Sequence, residues 1–258
     1  MQYETIHYDL RDGVGVMELD RPDVMNALST QMRAEILHCV REAETSARVL
    51  VMTGRGRAFC SGQDLGDRAS VANLNLERTL RDEYEPMLRA IFDCAIPTIA
   101  AVNGPAAGAG ANLALACDVV VATESAVFLQ AFTRIGLIPD AGGTYWLPRQ
   151  MGTAKALGAA LFAEPISARQ ASNWGMIWEA IEDDRFEEVW RARAQHLANG
   201  PSVAYRNVKL AIRGSWDRSL TEQLAAEAKM QGEAGRSRDF QEGVMAFLEK
   251  RPAKFEGR

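Results

Sequence analysis

Apolar positions recur along the chain with two distinct periods. Val14, Val16, Met17 and Leu19 fall in a short run that reads as a strand, closed by the polar turn Asp20-Arg21-Pro22-Asp23. Behind Ser29, a plausible N-cap, Met32, Ile36, Val40 and Ala43 repeat at helical spacing. Three nearly unbroken apolar runs predict buried strands: 49–52, ending in Gly54; 99–102, opened by Pro97 and stopped by Asn103-Gly104-Pro105; and 119–121. Leu80, Tyr84, Leu88 and Ile91 share one helical face, and small residues predict a helix over 109–116. From Lys155 onward the pattern is helical: Phe186, Val189, Trp190, Arg193 and Leu197 lie on one face, Pro201 opens another helix, and Phe240, Val244 and Phe247 mark the last. Strands alternating with helices predict an α/β core followed by a strand-free helical final third. No repeat, low-complexity tract or domain-separating linker interrupts this order.

Composition narrows the class without choosing an activity. Of 258 residues, 47% are apolar and 24% charged, enough to bury a sizeable core. The balance of 29 basic against 34 acidic residues, net −5, argues against a nucleic-acid surface. Cys39, Cys60, Cys94 and Cys117 are widely spaced, as in a reduced compartment. The opening Met-Gln-Tyr-Glu is not a basic region followed by an apolar run, so no secretory signal is expected. The charge-free stretch 94–117 contains Pro97, Asn103, Pro105 and Asn112, unsuited to a membrane span. A cytoplasmic protein is the expectation.

The chemistry begins with exclusions. His7, His38 and His196 are scattered, so a metal centre is not expected, and no phosphate-binding loop or nucleophile elbow occurs. Two glycine-rich turns stand out, one following each of the strands at Val49 and Ile99. They are Gly54-Arg55-Gly56-Arg57-Ala58-Phe59-Cys60-Ser61-Gly62-Gln63-Asp64-Leu65 and Asn103-Gly104-Pro105-Ala106-Ala107-Gly108-Ala109-Gly110-Ala111-Asn112. Side by side, such turns could aim one main-chain N–H each at a developing oxyanion; they could equally be simple connectors. Asp140, ahead of Gly142-Gly143, reads on its own as a turn or helix-capping aspartate. Tyr145, Trp146 and Phe162 read as core, and Trp174, Trp178, Trp190 and Trp216 as packing or interface residues.

Both turns resemble the signature segments of the crotonase (enoyl-CoA hydratase/isomerase) superfamily. The likeness extends to Arg21-Pro22-Asp23-Val24-Met25-Asn26-Ala27-Leu28, to Ile135-Gly136-Leu137-Ile138-Pro139-Asp140-Ala141-Gly142-Gly143-Thr144, and to Gly243-Val244-Met245-Ala246-Phe247-Leu248 near the end. It implies a spiral of ββα units over 1–200 and a C-terminal helical oligomerisation region over 201–258, assembled as a homotrimer or hexamer. It implies an acyl-CoA thioester substrate, with coenzyme A part of the substrate and no separate cofactor. Carried over by position, Gln63 and Ala109 supply the oxyanion-hole N–H groups. Val24, Met25, Ser61, Asp64, Leu65, Gly110, Asn112 and Phe132 match positions that bind substrate or CoA. Asp23 departs from the lysine common there, leaving Lys250 and Lys254 as candidate CoA cations.

Hydratases of the superfamily use two glutamates; here those positions hold Asn112 and Phe132, neither of which carries a proton at neutral pH. Several isomerases place their catalytic aspartate where this chain has Asp140. The segments most resemble the 1,2-epoxyphenylacetyl-CoA isomerase branch. The implied activity is isomerisation of a ring-epoxide or 3-enoyl thioester, with Asp140 moving the proton; a hydratase and a non-catalytic acyl-CoA-binding subunit are the alternatives. A polar segment from Asp67 through Asn75 is expected to border the acyl pocket.

Overall fold

The computed structural model describes residues 3–66 and 75–257, so most of the polar segment from Asp67 lies outside the described residues. Its strands, in chain order, are β1 (Ile6–Arg11), β2 (Val14–Leu19), β3 (Val49–Gly54), β4 (Thr98–Val102), β5 (Ala106–Ala107), β6 (Val119–Thr123), β7 (Val127–Leu129), β8 (Ile166–Ser167) and β9 (Glu179–Ile181). The main sheet runs β1-β2-β3-β4-β6-β9, and β5-β7-β8 form a small second sheet. Every pairing in the main sheet is parallel except the β1–β2 hairpin.

The unbroken apolar runs are explained by burial on both faces. Leu50, Met52, Ala100, Val102, Val120 and Ala122 point into one core. There they meet α1 (Thr30–Ser46), through Met32, Ile36, Cys39, Val40 and Ala43. Their alternates Val49, Val51, Ile99, Ala101 and Val121 point into a second core, covered by Phe186, Trp190, Ala194 and Ala198. Ser29 caps α1 by accepting from the Met32 N–H at 3.2 Å.

The face read from Leu80 to Ile91 belongs to a compound helix: α2 (Leu76–Thr79), a π-helical turn at Leu80–Tyr84, and α3 (Glu85–Asp93). Then come α4 (Ala109–Leu115), α5 (Gly143–Met151), α6 (Thr153–Phe162), α7 (Ala168–Asn173), α8 (Phe186–Ala198), α9 (Ser202–Gly214), α10 (Leu220–Ala234) and α11 (Arg238–Glu249).

The final third is not strand-free. β9 pairs in parallel with β6 at the sheet edge, and its three residues are too short to show a period of two. The helices after it are tied to the sheet by Asp118, whose carboxylate meets Lys209 Nζ and Arg213 Nη2, each at 2.7 Å, and accepts from the Thr98 N–H at 2.7 Å.

Candidate active site

The two glycine-rich turns leave the C-terminal ends of adjacent parallel strands β3 and β4, where open α/β sheets form their ligand crevices. Asn103 ties them together, accepting from the Gly54 N–H at 3.0 Å and donating to the Gly56 carbonyl at 3.0 Å. A bridge between Cys60 and Ala106 continues the contact. Gly62 has φ +98°, and a Cβ there would lie 2.8 Å from the Ala107 carbonyl oxygen and 3.4 Å from the Ala109 nitrogen. A Cβ on Gly110 would lie 2.4 Å from the Cys60 carbonyl oxygen. At Gly62 only glycine permits both the left-handed backbone and this approach, and at Gly110 the approach alone demands it.

Two main-chain donors at this contact have no backbone partner among the described residues. Leu28 bridges Gln63 by donating to the Gly62 carbonyl at 2.8 Å and accepting from the Asp64 N–H at 3.2 Å. The bridge engages the groups flanking Gln63 and turns its own N–H to the opposite edge. Ala109 is the first residue of α4, where the N–H has no partner within the helix. Cys60 stays inert: its Sγ donates to the Asn26 carbonyl at 3.1 Å, and burial pushes the thiol up to about 12.

Asp140 stands on the loop before α5. Asn112 Nδ2 donates to its carbonyl at 2.8 Å, as does the Gly143 N–H. Its side chain caps nothing: Gly142 is the N-cap of α5. The capping role therefore falls to the backbone, while the carboxylate is opposed in its burial only by its own main-chain N–H. Oδ1 is buried without a hydrogen-bond partner among the described residues. Burial in apolar surroundings pushes the carboxyl up to about 6.

It faces a cavity of about 540 Å³ lined by Leu80, Tyr84, Leu88, Phe92, Ile138, Tyr145 and Trp146. Tyr145 and Trp146 form its wall, Trp146 also packing against the main core as expected; their rings meet edge-on at 4.8 Å, with Phe92 5.2 Å from Trp146. Phe162, also expected in the core, is 74% exposed. Trp190 is buried in the second core, and Trp178 and Trp216, read as packing or interface residues, are exposed on the single chain.

Residues 9–258 match the family model described as enoyl-CoA hydratase/isomerase. The chain belongs to this family. Among relatives in the enoyl-CoA hydratase/isomerase family, it is 60% identical over the whole of both chains to a Rhodobacter capsulatus protein named "Probable enoyl-CoA hydratase". It is 42% identical, over 99% of both chains, to the 1,2-epoxyphenylacetyl-CoA isomerase of Escherichia coli K12. The crystal structure of an enoyl-CoA hydratase from Bacillus anthracis superposes with a TM-score of 0.91 at 30% identity, covering 99% of this chain and all of the other.

Within this family fold, the remaining candidate residues fall into two groups. Val24, Met25, Ser61, Asp64 and Leu65 come together beside Gln63. The Ser61 N–H donates to the Met25 carbonyl at 2.9 Å, Ser61 Oγ donates to the Val24 carbonyl at 3.2 Å, and Asp64 pairs with Arg21 at 2.8 Å. Val24, Met25 and Leu65 are exposed, forming an apolar edge beside the turn. Gly110 and Asn112 are buried. Asn112 has its amide engaged by Asp140 and by Gln130, which donates to its Oδ1 at 2.9 Å, so it shapes the turn. Phe132 is buried with its ring 3.6 Å from where a Gly108 Cβ would sit. Lys250 caps α11 in a left-handed conformation, and the Lys254 N–H donates to Glu242; among the described residues no hydrogen bond or ion pair joins either to the Val24–Leu65 edge.

Sequence reasoning missed Arg33, Glu83 and Tyr84. Arg33 is 3% exposed, paired with Glu83 and bonded to Gln63, yet as one of five charged residues in an ordinary amphipathic helix it gives no signal of burial.

Proposed function

We propose that this family member is an acyl-CoA isomerase in which Asp140 moves the proton and the Gln63 and Ala109 N–H groups receive the enolate oxygen. The observation that carries the reading is Asp140 itself. Glu85, the other carboxylate lining the cavity among the described residues, is exposed and paired with Arg89 at 2.9 Å, whereas Asp140 Oδ1 is buried and unbonded. In a 3-enoyl thioester, the ionised carboxylate takes a proton from the carbon beside the thioester. The electron pair delocalises through the thioester oxygen, and the same carboxyl returns the proton at the far end of the double bond. Two preorganised N–H groups stabilise the intermediate oxygen, each worth about 3–4 kcal/mol. An elevated pKa suits a group that is base in one half-reaction and acid in the other. The net change needs neither water nor a separate cofactor, since coenzyme A arrives with the substrate.

The aromatic wall of Phe92, Tyr145 and Trp146 suits a ring-bearing acyl group, in keeping with the name of the Escherichia coli relative. Assembly as a trimer or hexamer belongs to the same proposal.

The name of the Rhodobacter capsulatus relative favours a second reading, hydration of a 2-enoyl thioester. One assay separates the two. A 3-enoyl-CoA offered to the wild type gains conjugated thioester absorbance under isomerisation, and the Asp140→Asn protein leaves it unchanged. Loss of absorbance from a 2-enoyl-CoA, with none gained from the 3-enoyl isomer, would establish the hydratase instead. Silence with both, alongside tight thioester binding, would mark a binding subunit.

A further inference from the structure

A buried cation lies behind the turn that carries Gln63. Arg33, in the first turn of α1, donates to the Leu28 carbonyl at 2.6 Å, to Thr30 Oγ1 at 3.1 Å and to Gln63 Oε1 at 3.0 Å. Glu83 neutralises it, accepting from Nη2 at 2.5 Å and Nε at 3.0 Å. The next residue, Tyr84, donates its hydroxyl to the same Gln63 Oε1 at 2.5 Å, and its ring centre lies 4.8 Å from the guanidinium. Gln63 Nε2 completes the set by donating to the Asp64 carbonyl at 3.2 Å.

These contacts gather three elements on one side chain: α1, the first glycine-rich turn, and the π-helical turn that presents Glu83 and Tyr84. A π turn inside a helix commonly marks a functional site, because the extra residue re-aims the side chains around it. Arg33 also holds Leu28, which bridges Gly62 and Asp64 on either side of Gln63. The peptide before Gln63 follows a glycine with φ +98°, so its direction is not fixed by side-chain sterics. An N–H aimed at a developing charge contributes fully only if it is held in place beforehand.

We infer that Arg33 and Tyr84 are positioning residues, clamping the Gln63 side-chain carbonyl from two sides so that its main-chain N–H keeps a fixed aim at the thioester oxygen. The inference rests on the reading of Gln63 as an oxyanion donor. Tyr84 also lines the acyl cavity, so the clamp and the acyl wall share a residue.

The test uses the full-length protein and cinnamoyl-CoA, a conjugated thioester whose absorbance moves to longer wavelength when its carbonyl is polarised. Tyr84→Phe keeps the ring and the Arg33–Glu83 pair and removes only the hydroxyl. Gln63→Met keeps the main-chain N–H and removes the clamped carbonyl. Expected are a red shift on binding to wild type and its reduction by about half or more in each single variant, with Kd changed less than about threefold. Tyr84→Phe should add nothing in the Gln63→Met background, because both act through one contact. Asp140→Asn should keep the full shift. Wild-type shifts in both single variants, or an undiminished Tyr84→Phe effect on top of Gln63→Met, would overturn the clamp alone. No shift with wild type would overturn the oxyanion reading and the clamp with it. Arg33→Met is left as a secondary variant, since stranding Glu83 could unfold the protein.

Discussion

Asp140 holds an ionisable carboxyl in surroundings that disfavour its charge. Its carboxyl is raised from 3.8 to about 6 by burial, so the native state binds its proton more tightly than the unfolded chain does. A raised carboxyl favours folding below the unfolded value, and that contribution is lost as pH climbs through the folded one. At pH 8 the ionised group therefore costs up to about 3 kcal/mol, at roughly 1.4 kcal/mol for each unit of the shift. Asp140→Asn should stabilise the protein at pH 8 by an amount approaching this and leave stability at pH 3.5 almost unchanged, as urea unfolding at the two values would show. Equal effects at both values would mean that the carboxylate is solvated. Turnover should vary in the opposite sense, kcat/KM rising with pH through about 6 as the base ionises. The family motifs made this residue legible; its freedom from capping was not, because Asp before Gly-Gly has the same sequence whether side chain or backbone closes the turn. Arg33 and Tyr84 were illegible for a related reason: each sits at the spacing its helix requires, and only the fold brings both to Gln63.

Where elements meet, the site depends on two backbones in contact. α4 begins so close to the first turn that a methyl group on Gly110 would strike the Cys60 carbonyl at 2.4 Å and its sulfur at 2.7 Å. Neither atom is the end of a flexible side chain, so one element must move. Gly110→Ala should destabilise by about 1–3 kcal/mol and lower kcat about a hundredfold by parting the two donors. Gly158, inside α6, provides the contrast: nothing lies within 4 Å of its absent Cβ. Gly158→Ala should raise stability by about 0.5–1 kcal/mol through helix propensity, with turnover untouched. Thermal unfolding and the conjugation assay on both variants check the pair, and equal behaviour would refute the steric account. The core strands were plain in the sequence because burial on two faces leaves an unbroken apolar run. β1 was equally readable in principle: Ile6, Tyr8 and Leu10 alternate with polar residues, and Asp12-Gly13 turns the hairpin with positive φ at both positions. β5, β8 and β9 were not, since two or three residues carry no period, and their pairing is decided by what packs beside them.

Across the whole molecule, the largest unexplained feature is apolar surface on the C-terminal helices. Ile212, Trp216, Leu220, Leu224, Phe247 and Leu248 are each more than half exposed. These helices are not loosely attached, since Asp118 grips α9 through two cations and Arg48 reaches the Gly200 carbonyl at 2.6 Å. Their exposure therefore belongs to the folded chain, and isolated monomers rarely leave so much apolar area open. Closed symmetric assembly covers such area, and the resemblance implies three or six copies. Sedimentation should give a mass near three or six times 28.3 kDa. Leu224 and Phe247 lie on separate helices and are each more than half exposed, so Leu224→Glu and Phe247→Glu should each shift the distribution towards smaller species while circular dichroism stays unchanged. A wild-type monomer would refute assembly through this face. An oligomer indifferent to both charges would place its interface elsewhere, on the face bearing Trp178 or Phe162. Arg213, held by Asp118 within the chain, lies 4.0 Å over the Phe92 ring that lines the Asp140 cavity. KM for an acyl-CoA should therefore stay at its wild-type value in variants that dissociate, and a raised KM would show that this cavity wall depends on assembly.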